Sequence, residues 1–340
     1  MTRTAAPPPT EIAFETSGTT GTPVTWLRTP EQLRAEAELL VATVGRMDRV
    51  VSFAPPHHLY GRIFGVEIPR LLGVPATLCW QEVLVPRVLD PSARTLLVCL
   101  PSTWQLLLHQ LPTLAACRQV IAVHSTARAT DAAYEVARRL TGTGFQGWEV
   151  LGSTETGAVA TRPIRPAPDP GARDHGEWRL LPDVVRRDPA PGSGGGALTV
   201  GGPRLARRPG APAPAALTMP DLVVPTGPRT FRLTGRVPGL VKVNGVRCDL
   251  RQVERAVRAV LPDADADAAC VPVADEVRGE HYTLYYASAG GPAPGELRSR
   301  LAGALGSVPG PRWVVRVRRI PRSGDTVLTT ELPGLAVAAR

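Results

Sequence analysis

The segment "FETSGTTGTPVTW", residues 14–26, joins a strand-like pattern to a run of glycine and hydroxyl residues. The alternation in "EIAFETS" (residues 11–17) predicts a β-strand that leads into this run. Successive backbone N–H groups and hydroxyls in residues 17–21 are suited to surround phosphate oxygens. The segment is not a Walker loop, which requires G-x-x-x-x-G-K-[ST], and Val24 stands where a lysine is usual. We interpret it as a candidate phosphate-binding loop, with a plain polar turn between strand and helix as the alternative.

The overall composition predicts a globular protein of the cytoplasm. The chain has 340 residues, of which 43% are hydrophobic and 20% charged, which is enough for two domains. No apolar run approaches the roughly 20 residues of a membrane span. The start of the chain, "MTRTAAPPPTE", lacks the apolar stretch of a secretory signal. The five cysteines are scattered without a CxxC pair, which favours a reducing compartment.

The charge balance predicts an acidic partner. The formal net charge is +9, and Lys242 is the only lysine, so nearly all basic residues are arginine. A GC-rich genome accounts for the arginine bias, but the positive surplus still attracts acidic molecules. The sequence has no zinc-finger spacing and no aromatic-basic ribonucleoprotein pattern, so we expect no nucleic acid. An acidic carrier protein is the other candidate, and the motifs described below favour it.

The order of apolar segments predicts an α/β fold with two domains. Amphipathic helical spacing in residues 31–47 and 129–140 alternates with buried-strand runs at 94–102 and 117–126. This alternation is typical of a large N-terminal domain with mostly parallel sheets. From about Asp169 short strands follow one another, so that domain has a β-rich end. We place the boundary near Gly235, giving domains 1–235 and 236–340, the second a small, mobile α+β domain.

Further motifs follow the glycine loop in a fixed order. They are "APPHHLYG" (54–61), "LGSTETG" (151–157), "GEW" (176–178), "MPDLV" (219–223), "LTGRVPGLVKVNGVRCDLRQVE" (233–254) and "IPRSGDTVLTTEL" (320–332). In this order the set resembles the adenylate-forming superfamily, which includes acyl-CoA synthetases, peptide-synthetase adenylation domains and luciferases. The resemblance covers nearly the whole chain.

The resemblance implies an ATP site with a magnesium ion. The glycine loop would hold the β- and γ-phosphates through Thr16, Ser17, Gly18, Thr19, Thr20 and Gly21. Thr154 would reach the α-phosphate, and Glu155 would bind Mg²⁺ on the phosphates. Asp221 would grip the ribose hydroxyls, a role that Arg236 shares. Outside this resemblance, Glu155 is equally a solvated loop acid and Asp221 a turn residue.

The resemblance also implies a site for an acid and a thiol. His58 would lie beside the acyl carboxylate and the thiol tunnel, along which Lys242 and Gly245 would accompany a pantetheine arm. His58, Glu155 and Arg236 are the candidate catalytic residues. The acid pocket would involve Gly152 and Ser153, with Trp104 and Trp148 as walls. Without the resemblance, His57 and His58 are equally able to cap a strand end.

Two substitutions in the motifs affect the expected adenylation step. In the phosphate loop, Val24 replaces a common lysine, while hydroxyls and amides do most of the binding. In the closing motif, Asp325 or Thr326 occupies the place of the lysine that bridges the substrate carboxylate and the phosphate. Arg322 is a possible substitute, although a planar guanidinium is not equivalent to an ammonium.

Two further departures concern the domains. Pro238 stands at the hinge position, where relatives commonly have Asp or Lys, so we expect a restricted swing of the C-terminal domain unless nearby residues absorb the rotation. The glycine loop begins only 15 residues into the chain. We therefore expect a compact member that lacks part of the usual N-terminal subdomains.

Three functions remain open at the level of the sequence. The first is an acid–thiol ligase of secondary metabolism, which uses ATP and Mg²⁺ to join an aryl or acyl acid to a phosphopantetheine thiol on CoA or a carrier protein. The second is an ATP-independent acyl-thioester hydrolase or acyltransferase with His58 as general base. The third is a non-catalytic partner of carrier proteins. None of the three requires a membrane.

Overall fold

The computed structural model divides into two compact units, which are described separately. The first comprises Met1–Glu15 and Thr25–Val237, and the second Thr16–Val24 and Pro238–Arg340. The predicted domain boundary between residues 235 and 236 stays a prediction. The structure describes residues 11–17, 23–80, 89–166, 176–188, 195–236, 239–243, 246–275, 279–306, 308–323 and 326–337.

The first described element is a two-stranded sheet of β1 (Ile12–Ser17) and β2 (Pro23–Arg28), and helix α1 (Pro30–Val44) follows it. The start of α1 is fixed by a capping box between Thr29 and Gln32. Its apolar residues recur every three or four positions, and that face is buried as the spacing predicts.

Eleven strands of the first unit form one mixed sheet. Its order is β10-β11-β12-β13-β9-β8-β7-β6-β5-β3-β4. The strands are β3 (Arg49–Ser52), β4 (Ala76–Leu78), β5 (Arg94–Cys99), β6 (Gln119–His124), β7 (Phe145–Ser153), β8 (Gly157–Ile164), β9 (Trp178–Leu180), β10 (Val185–Asp188), β11 (Gly196–Gly201), β12 (Leu217–Pro225) and β13 (Thr230–Arg236).

Strands β3 to β7 are parallel and carry helices on both faces, which confirms the predicted α/β class. Alternate residues of β5 and β6 join two separate cores, one against α1 and one against the later helices. The helices after α1 are α2 (Leu59–Arg62), α3 (Ile68–Leu72), α4 (Pro101–Leu108), α5 (Leu111–Ala116) and α6 (Asp131–Arg139). From β7 onward the pairing is antiparallel, and β9 to β13, which follow residue 169, are the predicted β-rich end.

A π-helical segment, Ile63–Glu67, joins α2 to α3. Pro69 lies at the start of α3 and has no N–H to continue a regular helical hydrogen-bond ladder. A wider turn before it accommodates this loss. Tyr60, in α2 just before this segment, is directed into the sheet, and its hydroxyl donates to the carbonyl of Val123 at 2.8 Å.

The second unit contains the predicted α+β domain. Its strands are β14 (Leu240–Val243), β15 (Val246–Asp249), β16 (Asp267–Asp275), β17 (Gly279–Ala287), β18 (Trp313–Arg316), β19 (Arg322–Ser323) and β20 (Thr326–Val327). Helices α7 (Leu250–Val260) and α8 (Pro294–Leu305) pack on the main sheet of this unit around Tyr282, Leu284 and Tyr286. Two short 3₁₀ turns follow, Thr329–Glu331 and Pro333–Leu335.

Candidate functional site

The Glu155 turn connects β7 to β8 at the carboxyl edge of the parallel strands. Gly152 and Ser153 end β7, and the hydroxyls of Ser153 and Thr156 lie 2.9 Å apart. The backbone N–H of Ser153 donates to the hydroxyl of Thr156 at 3.1 Å, which closes the turn. Because carboxyl ends of parallel strands form the usual ligand crevice, this turn lies where a binding site is expected.

Glu155 is only 9% exposed, although it lies in a turn. Its carbonyl oxygen accepts a hydrogen bond from the backbone N–H of Ala206 at 2.8 Å. A glutamate buried in this way is not a solvated loop acid, which was the alternative interpretation of the sequence. The turn therefore holds a carboxylate in a defined place.

The donor atoms of the turn suit magnesium. The carboxylate of Glu155 and the hydroxyls of Ser153, Thr154 and Thr156 are hard oxygen ligands. Among the described residues there is no group of three or more His, Cys, Asp or Glu side chains that could hold a metal ion. In proteins Mg²⁺ commonly binds one or two carboxylates and completes its shell with substrate phosphates and water, so the single carboxylate of Glu155 suits it.

Asp221 and Arg236 are partners on adjacent strands. They face each other in the register of β12 and β13, and Arg236 Nε lies 3.1 Å from Asp221 Oδ1. The structure thus brings together the two side chains that the sequence assigns to the ribose. Their role in nucleotide binding stays a prediction.

His58 follows β3 at the same carboxyl edge and is exposed. Its ring centroid lies 4.4 Å from that of His57, which in turn lies 5.8 Å from the ring of Trp80. Partial desolvation by the surrounding residues, and then the proximity of His57, lower the pKa of His58 below its usual 6.5. The imidazole is therefore largely neutral at pH 7 and can accept a proton.

The two tryptophans assigned to the acid pocket occupy different environments. Trp104 is fully buried among residues of α4, α6 and the sheet, and its indole N–H donates to His124 Nδ1 at 2.9 Å. Trp148 lies on β7 and is partly buried against the opposite core. The packing of Trp104 accounts for its burial without a ligand, and its role in a pocket stays a prediction.

Several assigned residues lie at the edge of the described chain. Thr16 is on β1, and its hydroxyl lies 3.4 Å from the carbonyl oxygen of Val24. The backbone of Ser17 ends that strand. The remaining loop residues Gly18, Thr19, Thr20 and Gly21, together with Pro238, Gly245 and Asp325, lie outside the described residues.

The second unit places Lys242 and Arg322 within its own sheet and loops. Lys242 pairs with Arg247 across β14 and β15, and its backbone N–H donates to Glu280 Oε2 at 2.8 Å. One edge of the Arg322 guanidinium forms a bidentate pair with Asp267, with Nε 2.9 Å from Oδ2 and Nη2 3.0 Å from Oδ1. An arginine held in this way has to leave its ion pair before it can replace a mobile lysine.

A buried group of charged side chains went unnoticed in the sequence. Arg28, Glu36, Asp183 and Arg204 form contacts behind the Glu155 turn. Charged residues are seldom buried, and Arg28 and Glu36 lie far along the chain from Asp183 and Arg204, so no local sequence pattern indicates the group.

No helix in the described part of the chain combines the length and the hydrophobicity that a transmembrane span requires.

The parallel sheet, the glycine-rich segment between β1 and β2, and the buried Glu155 turn are consistent with a nucleotide-dependent α/β enzyme. Comparison with known families defines the class further, because a family model described as AMP-binding enzyme matches residues 5–208, more than half of the chain. The chain therefore belongs to the AMP-binding enzymes of the adenylate-forming superfamily, which confirms the resemblance found in the sequence.

Among individual relatives, a 4-coumarate–CoA ligase from Halorhodospira halophila is 31% identical over 271 residues. The match covers 76% of this chain and 58% of that relative, so the chain spans less than two thirds of its length. The o-succinylbenzoate CoA synthetase of Bacillus subtilis has a similar fold, with a TM-score of 0.71 at 18% identity over 95% of this chain and 69% of that one. A malonyl-CoA ligase solved with methylmalonyl-CoA and AMP matches with a TM-score of 0.66 at 21% identity, over 91% of this chain and 71% of that one.

Proposed function

We propose that the chain is an acid–thiol ligase that activates an aryl or acyl acid with Mg-ATP and transfers it to a phosphopantetheine thiol. The observation that carries this proposal is the Glu155 turn, which holds a buried carboxylate at the carboxyl edge of the sheet. A carboxylate kept in this position suits a divalent ion on a polyphosphate, and a solvated surface acid needs no such support.

The residues of the first unit divide the work between nucleotide and acid. Glu155 would hold Mg²⁺, which supplies charge screening on the phosphates while the acid carboxylate attacks. Asp221 and Arg236 would orient the ribose. His58, neutral at pH 7, would lie beside the carboxylate without adding a positive charge to it.

The relatives support a ligase and leave the acid open. The 4-coumarate–CoA ligase is named for an aryl acid, and the malonyl-CoA ligase was solved with a CoA thioester and AMP. On this basis we propose CoA or an acidic carrier protein as the source of the thiol. The net charge of +9 favours the carrier protein, because a basic surface attracts an acidic one.

The proposed adenylation is tested by ATP–pyrophosphate exchange with a panel of aryl and acyl acids. We expect acid-dependent exchange in the wild type and a loss of about a hundredfold in Glu155→Gln, because even residues that only orient a metal ligand contribute factors of about 10–100. Glu38→Gln is the matched control, because Glu38 lies exposed on α1 in a pair with Arg34. Absence of exchange with every acid contradicts the ligase.

An ATP-independent thioester hydrolase or acyltransferase is the second candidate. The observations that favour it are the neutral, exposed His58 and the absence of a lysine near Asp325 in the sequence. This candidate predicts that acyl-CoA or an acyl-carrier thioester loses its acyl group without nucleotide, and that His58→Ala abolishes the release. Inertness in both assays favours the non-catalytic partner of carrier proteins.

A further inference from the structure

The Glu155 turn rests on a buried ionic network that includes residues from both ends of the first unit. The side chain of Arg28 is fully buried, and those of Glu36 and Arg204 are 4% and 3% exposed. The fourth member, Asp183, is 21% exposed. Two cations and two anions balance in charge, which makes their joint burial tolerable.

Glu36 is the centre of this network. Its Oε2 lies 3.1 Å from Arg28 Nη2 and 3.0 Å from Arg204 Nη1. Its Oε1 accepts a hydrogen bond from the backbone N–H of Ala158 at 2.8 Å. One carboxylate on α1 therefore binds two arginines and the start of β8.

Arg204 binds the other backbone polar group of Ala158. Its Nη2 donates to the carbonyl of Ala158 at 2.8 Å, while Nε and Nη2 pair with the two oxygens of Asp183 at 2.6 and 2.9 Å. Both backbone polar groups of Ala158, three residues after Glu155, are thus held by buried charged side chains. Such charge-assisted bonds are about twice as strong as neutral ones.

The strand that follows the glycine loop is fixed to the same place. Arg28, the last residue of β2, donates from Nη2 to the carbonyl of Arg204 at 2.5 Å. Leu27 exchanges two backbone hydrogen bonds with Arg207, and the neighbouring Ala206 donates to the Glu155 carbonyl. A continuous path of hydrogen bonds therefore joins β2 to the Glu155 backbone.

Stability alone is a poor reason for this arrangement. Buried ion pairs often contribute no more than well-packed apolar residues, since desolvation offsets their attraction. Arg28 illustrates the cost, because burial lowers its pKa and its Nε and Nη1 have no hydrogen-bond partner among the described residues. The network does, however, determine one geometry for the turn.

We propose that Glu36, with Arg28 and Arg204, is a positioning residue that fixes the Glu155 turn relative to β2 and thereby sets the affinity for Mg²⁺ on the nucleotide. The proposed effect on Mg²⁺ affinity rests on the proposed function, whereas the proposed effect on the position of the turn does not. Glu36 itself touches neither metal nor substrate in this account; it acts through the backbone of Ala158.

Two double variants test the proposal without leaving a buried charge alone. The leucine variant, Arg28→Met with Glu36→Leu, removes one cation, one anion and the acceptor for the N–H of Ala158. The glutamine variant, Arg28→Met with Glu36→Gln, removes the same charges and keeps an acceptor oxygen. Glu38→Gln, on the exposed face of α1, is the control.

The first readout is amide hydrogen exchange of residues 154–159 in the ligand-free protein. We expect exchange about tenfold faster in the leucine variant, corresponding to one lost hydrogen bond, with near wild-type exchange in the glutamine variant and the control. Equal exchange in the folded leucine variant and the wild type overturns the proposal. If the leucine variant does not fold, Arg204→Lys replaces it, because lysine keeps the positive charge but loses the guanidinium that donates to the carbonyl of Ala158. Amide exchange equal to that of the wild type in this variant overturns the proposal as well.

The second readout is ATP binding as a function of Mg²⁺ concentration. The leucine variant should need about tenfold more Mg²⁺, as for other residues that orient metal ligands, and the glutamine variant should recover most of this loss. If amide exchange is faster in the leucine variant but its Mg²⁺ requirement is unchanged, the proposed effect on Mg²⁺ affinity is wrong. If the wild type does not bind Mg-ATP, both the proposed function and the effect on Mg²⁺ affinity are wrong. The comparison of amide hydrogen exchange still tests whether the network fixes the turn.

Discussion

Asp221 and Arg236 face each other on neighbouring antiparallel strands, with Arg236 Nε 3.1 Å from Asp221 Oδ1. Asp221 is only 5% exposed, so its carboxylate has a defined direction. A carboxylate oriented by an arginine is suited to accept hydrogen bonds from a vicinal diol, as the ribose role requires.

The ribose role predicts a loss of sugar discrimination in Asp221→Asn. We expect the wild type to bind ATP at least about tenfold more tightly than 2′,3′-dideoxy-ATP, since one hydrogen bond to a charged group contributes about this factor. In the variant this ratio should fall towards one. Calorimetric titration of both nucleotides measures it, with Asp48→Asn as a control at the partly exposed Asp48–Arg94 pair. Equal affinities of the wild type for the two nucleotides would exclude the ribose role.

The environment of His58 predicts an unusual titration. Its pKa is lowered by partial desolvation first and by His57 second, so the imidazole should still be mostly neutral at pH 6.5, where an ordinary histidine is half protonated. His57→Gln removes the second cause and should raise the pKa of His58 towards its usual value. Proton NMR titration of the ring measures both. A pKa of His58 at or above 6.5 in the wild type, or no change in His57→Gln, contradicts this account.

The close packing of Gly157 against the ionic network predicts that Gly157→Ala strongly lowers the free energy of unfolding. Gly157 has a φ of +70°, and an added Cβ would lie 2.3 Å from Glu36 Oε2 and 2.6 Å from Arg28 Nη2. Gly142 has a similar φ of +84° with nothing within 4 Å. Gly142→Ala should therefore lose about 1–2 kcal/mol of unfolding free energy from backbone strain alone.

Gly157→Ala should lose this amount and at least about 2 kcal/mol more, because the buried charges have to separate. Urea denaturation of the two variants measures the difference. A similar loss of unfolding free energy in the two variants would show that the buried side chains move aside from the added methyl group at little cost, and would contradict this prediction.

The sequence predicts most of the first unit, because its signals there are local. Helix α1 has a capping residue at Thr29 and a regular apolar face, and β5 and β6 are nearly continuous apolar runs. Strand β16 was not predicted, since it begins and ends with aspartate and contains Pro272. Its stability comes from full pairing with β17, which no local pattern reveals.

The sequence predicts those residues of the candidate site that belong to a motif. It does not predict the contacts that depend on tertiary packing. The motif identifies Glu155, whereas the contacts of Glu36 with Arg28 and Arg204 depend on tertiary folding across as many as 176 positions, as between Arg28 and the Arg204 carbonyl. An aromatic side chain on an apolar helix can line a pocket or a core, and only packing shows that Trp104 is fully buried.

The missing lysine of the closing motif predicts a gain of function. In Asp325→Lys or Thr326→Lys, an ammonium would stand near the place that the family pattern gives it. We expect the rate of ATP–pyrophosphate exchange to rise about tenfold or more, since a charge placed against a developing charge contributes about this factor or a larger one. The matched charge change Glu331→Lys, further along the chain, should have no such effect. A rise in the control alone, or in none of the variants, would count against a role for that lysine.

The most direct test of the ligase follows the oxygen atoms of the acid. When a carboxylate attacks the α-phosphorus of ATP, pyrophosphate leaves and an acyl adenylate forms. When a thiol then displaces AMP from the acyl carbon, one carboxylate oxygen leaves with the AMP. The wild type is incubated with Mg-ATP, a pantetheine thiol and acids carrying ¹⁸O in the carboxyl group, and the AMP is analysed by mass spectrometry. The account predicts AMP that contains one ¹⁸O atom. Release of acid from a thioester without nucleotide, with no labelled AMP from any acid, would contradict it.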